Sequence, residues 1–403
     1  MLAVEDAHAR ITAAFAPLPS EWVHLAAAAG RVLAENLIAA RDQPPGAASA
    51  MDGYAVRAAD LASGRATLRL IGSAPAGRPF DRPLGSGETV RIFTGGLLPD
   101  GADAVALQEN ATAEGARIEL EGAVAPGAHV RPAGLDFRRG ERALLAGRRL
   151  SARDIGLAAA LNHAWLPVRR RPRIALFATG DELVLPGQPL GPAQIVNSNG
   201  VTLAAMVRLW GGEAVDLGIV RDHPDSLAAI TTQLRGVDLV VTSGGASVGE
   251  HDLVRDVLGR HGLELDFWRI AMRPGKPLMF GRIHDVPLLG LPGNPVSAGV
   301  CAVLFVRAAI CVLLGLDPAP PEVPAVLGAP LGANDGRQDY LRGQVEWQDD
   351  GRLSVLPAPR QDSSMLATFA RADCLIKRPP HAPAIGPGTV VSVLLLGSGP
   401  VGI

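Results

Sequence analysis

Three stretches of this 403-residue chain set glycines, acids and small hydroxyls just where β-like runs end. Thr179-Gly180-Asp181-Glu182 follows residues 174–178. Ser243-Gly244-Gly245-Ala246-Ser247-Val248-Gly249 follows 238–242 and runs on to Glu250 and Asp252, and Pro292-Gly293-Asn294-Pro295 follows 286–291 and opens an apolar helical stretch. Paired glycines let backbone N–H groups converge on an anion, and a helix N-terminus adds a field that favours phosphate. Each loop alone is equally well a tight turn; all of them at one sheet edge favour a binding role for Ser243, Gly244, Gly245, Ser247, Gly249, Pro292, Gly293, Asn294 and Pro295. None matches G-x-x-x-x-G-K-[ST] or G-x-G-x-x-G, which argues against an ordinary ATPase or dehydrogenase.

Carboxylates fall in the same loops, with Glu182, Asp222 and Asp252 each after a strand. Hard oxygen ligands suit Mg²⁺, which takes one or two carboxylates and fills its remaining positions with substrate phosphate oxygens and water. Asp222 also stands where a helix N-cap would precede Pro224, and Asp181 reads as a turn residue. Lysine occurs only at Lys276 and Lys377, every other basic residue being arginine. In Met272-Arg273-Pro274-Gly275-Lys276-Pro277 a compact ammonium therefore points to an oxyanion contact that a planar fork would not fit, the alternative being an exposed surface lysine.

The elements that must position these loops change along the chain. Residues 3–40 have helical periodicity broken by Pro17, Pro19 and Gly30, which predicts two short helices. Short β-like runs at 67–71, 88–93, 104–108 and 117–120, separated by Gly and Pro, predict a small β domain over 46–139. A helix capped by Ser151 is expected over 152–161. The arginines at 169, 170, 171 and 173 read as a solvated linker rather than a phosphate patch. From 173 to 317 strands alternate with helices, predicting a doubly wound, largely parallel sheet covered on both faces, with ligands bound beyond the strand carboxyl ends. Prolines at 318–324 mark a linker to a C-terminal β-barrel-like domain over 325–403, and 1–45 joins 140–172 as a helical linker domain.

Apolar residues make up 48% of the chain and charged ones 19%, enough to bury several cores, and the net charge of −2 gives no general attraction to nucleic acid. Cys301 and Cys311 fall on one expected helix, roughly 15 Å apart by helical rise, too far for a disulfide. Cys374 is alone, and no spacing suits structural zinc. The apolar run 296–316 contains Arg307 and reads as a buried helix rather than a membrane span. Acidic Glu5 and Asp6 stand where a secretory signal would be basic, so a cytoplasmic location is expected.

With these residues in view, the sequence resembles the molybdopterin molybdenumtransferase family, which includes the E domain of gephyrin. The resemblance rests on Ser49-Ala50-Met51-Asp52-Gly53-Tyr54-Ala55, Ile92-Phe93-Thr94-Gly95, Gly134-Leu135-Asp136-Phe137, the loops above, Asn197-Ser198-Asn199, Arg273 to Pro277 and Leu291 to Ser297, in that order over most of the chain. It implies an elongated homodimer whose active site brings Asp52 and Thr94 of one subunit opposite Glu182, Asp222 and Asp252 of the other. It also implies the reaction: molybdate arrives, the phosphoanhydride of an adenylylated molybdopterin is cleaved, AMP leaves, and the dithiolene holds molybdenum. On that basis Glu182, Asp222 and Asp252 are assigned to Mg²⁺ and substrate, Asp52 with Thr94 to activation near the phosphoanhydride, and Arg273 with Lys276 to molybdate. Pro292 and Pro295 are expected to shape the pocket, and Asp136 to be structural. Many members of the family carry lysine where this chain has Arg273, which leaves molybdate against tungstate open.

The alternatives are a molybdopterin adenylyltransferase, which would need only the region 173–316 and is itself an expected contact partner, and a non-catalytic scaffold of the same fold. Consumption of ATP without AMP release from adenylylated molybdopterin would favour the first, and unchanged turnover on replacing Asp252 the second.

Overall fold

The computed structural model describes residues 1–244 and 253–397. The chain divides into two compact units, one of Glu35–Ala146 with Asp154–Ala164, the other of Met1–Ala34, Gly147–Arg153 and everything from Trp165 on.

In the larger unit a six-stranded sheet runs in the order Glu213–Val220, Arg173–Thr179, Leu239–Ser243, Val286–Leu291, Met279–Ile283 and Leu263–Phe267. The first four strands are parallel neighbours, as the alternation of strands and helices predicts. The last two are antiparallel, because only His284 and Asp285 join Met279–Ile283 to Val286–Leu291, too short a connection for a crossover. Alternate residues leave the sheet on opposite faces. Ile174, Leu176, Leu239, Val241, Leu289 and Leu291 pack with the helices Ser198–Leu209 and Pro295–Cys301, while Ala175, Phe177, Val240 and Leu288 pack toward Pro224–Thr231 and Leu253–Arg260. The apolar segment Pro295–Leu314 is long enough to cross a membrane, yet 83% of it is buried here as a core helix. Arg307 leaves that core by donating to the carbonyls of Pro318 and Ala319.

The C-terminal strands Gln338–Trp347, Leu353–Pro357, Glu322–Leu327, Val390–Leu395 and Cys374–Arg378 follow one another round, and the pairing of the last with the first closes the barrel. Met272–Arg273 adds in parallel to Gln338–Trp347, which fastens the sheet's last loop to the barrel.

Two expectations change. Val4–Ala13 is helical, but the second predicted helix is replaced by the strand Ser20–His24, paired antiparallel with Trp165–Arg169, a partner too distant in sequence for periodicity to show. The arginine cluster is neither linker nor patch. Arg170 grips Asp238 through two bonds of 3.1 and 2.7 Å, Arg169 donates to Leu18 O and Arg173 to Gly236 O.

The smaller unit is built on a six-stranded sheet in the order Ala104–Leu107, Gly53–Val56, Glu88–Ile92, Arg65–Ala74, Arg117–Glu121 and Ala111–Glu114. Tyr54, Val56, Leu68, Ile118 and Leu120 fill one face, and Ala55, Val90, Ile92 and Val105 the other. Gly53 lies between two strands where a Cβ would stand 2.0 Å from the Ala106 carbonyl oxygen, so no larger residue fits beside Asp52.

Candidate active site

Three of the parallel strands end side by side, and their carboxyl-terminal loops touch. Gly244, at φ +88°, donates its N–H to Leu291 O at 3.2 Å, and a Cβ there would stand 2.6 Å from Thr179 O. Only a glycine brings the second loop against the first in this way. Asn199, in the first turn of the Ser198–Leu209 helix, donates through Nδ2 to Ser243 Oγ at 2.7 Å and to Gly293 O at 2.8 Å. Asn197 caps that helix by accepting from the Gly200 N–H. Within the motif Asn197-Ser198-Asn199, residue type alone gives Asn199 no task; in the fold it is the clasp between two loops. The buried hydroxyls of Thr179 and Thr242 have no hydrogen-bond partner among the described residues.

Around the first loop the acids gather. The Asp222 N–H donates to Asp181 Oδ1 at 3.4 Å, and partial burial, then the nearby charges of Asp181 and Glu182, push the Asp222 carboxyl above its ordinary range. The helix that follows is capped by His223, which accepts from the Asp225 N–H, so Asp222 is not its N-cap. Arg221 lies 3.9 Å from Asp181 Oδ1. Among the described residues no three histidine, cysteine or acidic side chains form a ready-made metal cage. Asp252, Gly245, Ser247 and Gly249 lie outside the described residues.

Pro292 is buried, Gly293 exposed, and Asn294 precedes the first turn of the core helix without capping it. Its Nδ2 instead donates to Ser363 Oγ at 3.1 Å, while Ser363 O accepts the Val296 N–H, so a barrel loop closes the end of the helix that begins at Pro295.

The two cations of the 272–277 turn differ. Arg273 is already matched, its Nε and Nη2 donating to the two oxygens of buried Asp339 at 2.9 and 2.6 Å. Nothing in the sequence links these residues, which are 66 positions apart. The Lys276 ammonium has no ion pair or hydrogen bond among the described residues, whereas Lys377 pairs with Glu322 at 2.9 Å.

In the smaller unit Asp52 Oδ1 accepts both the Thr94 N–H at 2.7 Å and the Thr94 Oγ–H at 2.8 Å. These bonds, with Arg91 nearby, hold the carboxyl below its ordinary range. Such a group stays anionic and serves as acceptor or cation partner rather than as a strong base.

Family models match almost the whole chain: the MoeA N-terminal region (domain I and II) over residues 2–162, a probable molybdopterin binding domain over 175–311, and the MoeA C-terminal region (domain IV) over 324–396. The chain is 35% identical to the molybdopterin molybdenumtransferase of Haemophilus influenzae over 382 residues, 94% of each protein. It is 36% identical to that of a Nostoc species over 387 residues, 94% of this chain and 89% of the relative. A crystal structure of the molybdopterin biosynthesis MoeA protein of Pyrococcus horikoshii superposes with a TM-score of 0.87 at 31% identity, covering 99% of this chain and 100% of that one. With these matches added to the loops and strand order, the chain belongs to the molybdopterin molybdenumtransferase family.

Proposed function

We propose that this chain transfers molybdenum from molybdate to adenylylated molybdopterin with release of AMP, in the cytoplasm, as a Mg²⁺-dependent step of molybdenum cofactor biosynthesis. The observation that carries the reading is the joining of three strand-end loops through Gly244 and Asn199 beside the acids Asp181, Glu182 and Asp222. Parallel sheets bind phosphorylated ligands at that edge. Partial burial, and then the like charges of Asp181 and Glu182, weaken the acidity of Asp222; that gathering of acids suits a divalent cation, and Mg²⁺ needs no protein cage when phosphate oxygens and water complete its shell. When bound, it would neutralise the phosphoanhydride oxygens; Glu182, Asp222 and Asp252 are the residues assigned to hold it.

The chain's own groups supply the rest of the work. Ser243 and Gly244, with Gly245, Ser247 and Gly249 of the same sequence motif, are assigned to the phosphate groups, and Pro292, Gly293, Asn294 and Pro295 to the pocket wall. Asp52, kept ionised by Thr94, orients a donor or cation at the phosphoanhydride. Lys276, without an ion pair among the described residues, is the cation assigned to molybdate together with Arg273, which Asp339 holds in place.

We further read the protein as a homodimer with Asp52 and Thr94 facing the other subunit's acids, in four domains over 1–45 with 140–172, 46–139, 173–317 and 325–403. The outer face of the helix Ser198–Leu209 supports the dimer: Val201 and Leu209 are 59% and 81% exposed, and exposed Ala205 lies between them at helical spacing. A helix apolar on both faces is normally covered on both. Contact with a molybdopterin adenylyltransferase as supplier is part of the same reading. The test is AMP release from adenylylated molybdopterin: release that requires both molybdate and Mg²⁺ is expected, and its absence under those conditions would overturn the assignment.

A further inference from the structure

Phe93 has no part in the reading above. The antiparallel register pairs Gly53 with Ile92 and Tyr54 with Arg91. Asp52 and Phe93 are the next residues beyond that register, and Thr94, which follows Phe93, binds Asp52 through its N–H and its hydroxyl. Arg91, paired across the strands with Tyr54, reaches the rings of both Tyr54 and Phe93. Its guanidinium carbon is 4.9 Å from the Tyr54 ring centroid and 5.1 Å from that of Phe93. Its Nη1 donates to Gly53 O at 3.2 Å and its Nη2 to Gln108 Oε1 at 2.5 Å. Two rings and two hydrogen bonds thus fix the guanidinium. Tyr54 is buried, whereas Phe93 is 37% exposed and is followed directly by the hydroxyl that binds Asp52. Single exposed aromatics are ordinary on protein surfaces; one braced by a fixed cation and adjoining an anchored carboxylate is not.

We propose that Phe93, braced by Arg91, is a stacking platform for a planar nitrogen heterocycle of the substrate. The inference rests on reading Asp52 and Thr94 as part of the site. Adenylylated molybdopterin carries such a ring on each side of its phosphoanhydride, the adenine and the pterin, and either stacks on a phenyl face through the same interaction.

The experiment compares Phe93→Ala and Phe93→Trp with the wild-type protein. It measures steady-state AMP release from adenylylated molybdopterin, and, separately, equilibrium binding of AMP and of molybdopterin by calorimetry. Removal of one base-stacking aromatic typically weakens binding by about ten-fold, so Phe93→Ala should raise KM by about that factor with little change in kcat, and Phe93→Trp should restore it. A rise confined to the AMP Kd identifies the adenine as the stacked ring, and one confined to the molybdopterin Kd the pterin. An unchanged KM and two unchanged Kd values in Phe93→Ala, with an unfolding midpoint equal to wild type, would overturn the proposal. Failure of wild-type protein to release AMP would instead sink the proposed reaction, and the two binding comparisons would still decide on stacking.

Discussion

At the residue scale, the site separates groups by what already occupies them. Arg273 has its charge matched by Asp339, and Lys276 has no such match among the described residues, which is the ground for proposing the lysine as the anion contact. Lys276→Ala should raise KM for molybdate by about ten-fold or more, the order expected when a charge-assisted contact is lost, while Lys377→Ala should leave it unchanged; steady-state assays with molybdate varied decide this. Asp52 owes its strengthened acidity first to the Thr94 N–H and then to the Thr94 hydroxyl. Thr94→Val keeps the first and removes the second, so the acid limb of the kcat/KM profile should move to higher pH. A limb that stays in place would show that Asp52 ionisation does not govern turnover. Asp335 offers a stability test. Hydrogen bonds from Arg337 hold its carboxyl at about 2, below the ordinary 3.8. A carboxyl depressed in the folded state contributes stability fully above the unfolded value and loses it as pH falls through the folded one. The urea midpoint should therefore fall between about pH 3.8 and about pH 2, and less so in Asp335→Asn.

At the element scale, the strand-end loops act together because single residues join them. Asn199→Ala removes two hydrogen bonds and strands the buried Ser243 hydroxyl, a loss of about 1–3 kcal/mol, visible as a lower urea midpoint and a lower kcat/KM. Asn199→Asp keeps the size but loses both donors, so it should not rescue. The parallel strands and their order of loops were legible in the sequence because each strand and helix carries its own hydrophobic period. The antiparallel hairpin was hidden in the apolar runs near 277–291, where period and composition do not reveal strand direction. The strand Ser20–His24 was missed for a related reason: its partner is Trp165–Arg169, and local pattern holds no information about a pairing so remote.

At the scale of the whole molecule, the exposed apolar stripe Val201, Ala205 and Leu209 bears on assembly. If a second copy covers it, Leu209→Glu should convert the protein to a monomer in sedimentation velocity. A composite site would then lose AMP release with the dimer while circular dichroism stays unchanged. A monomeric wild-type protein with full turnover would remove the need for a partner subunit.

The order of strands and helices, the loops with acids and glycines at the sheet edge, and the single informative lysine of the 272–277 turn were all set by neighbours within a few positions of one another in the chain, which is why residue type and spacing reveal them. Which cation is already paired, which asparagine clasps two loops, and which glycine admits a neighbouring strand depend on pairs such as Arg273 with Asp339 and Asn199 with Gly293, 66 and 94 positions apart. Those contacts exist only once burial has brought the segments together, so tertiary structure alone decided them.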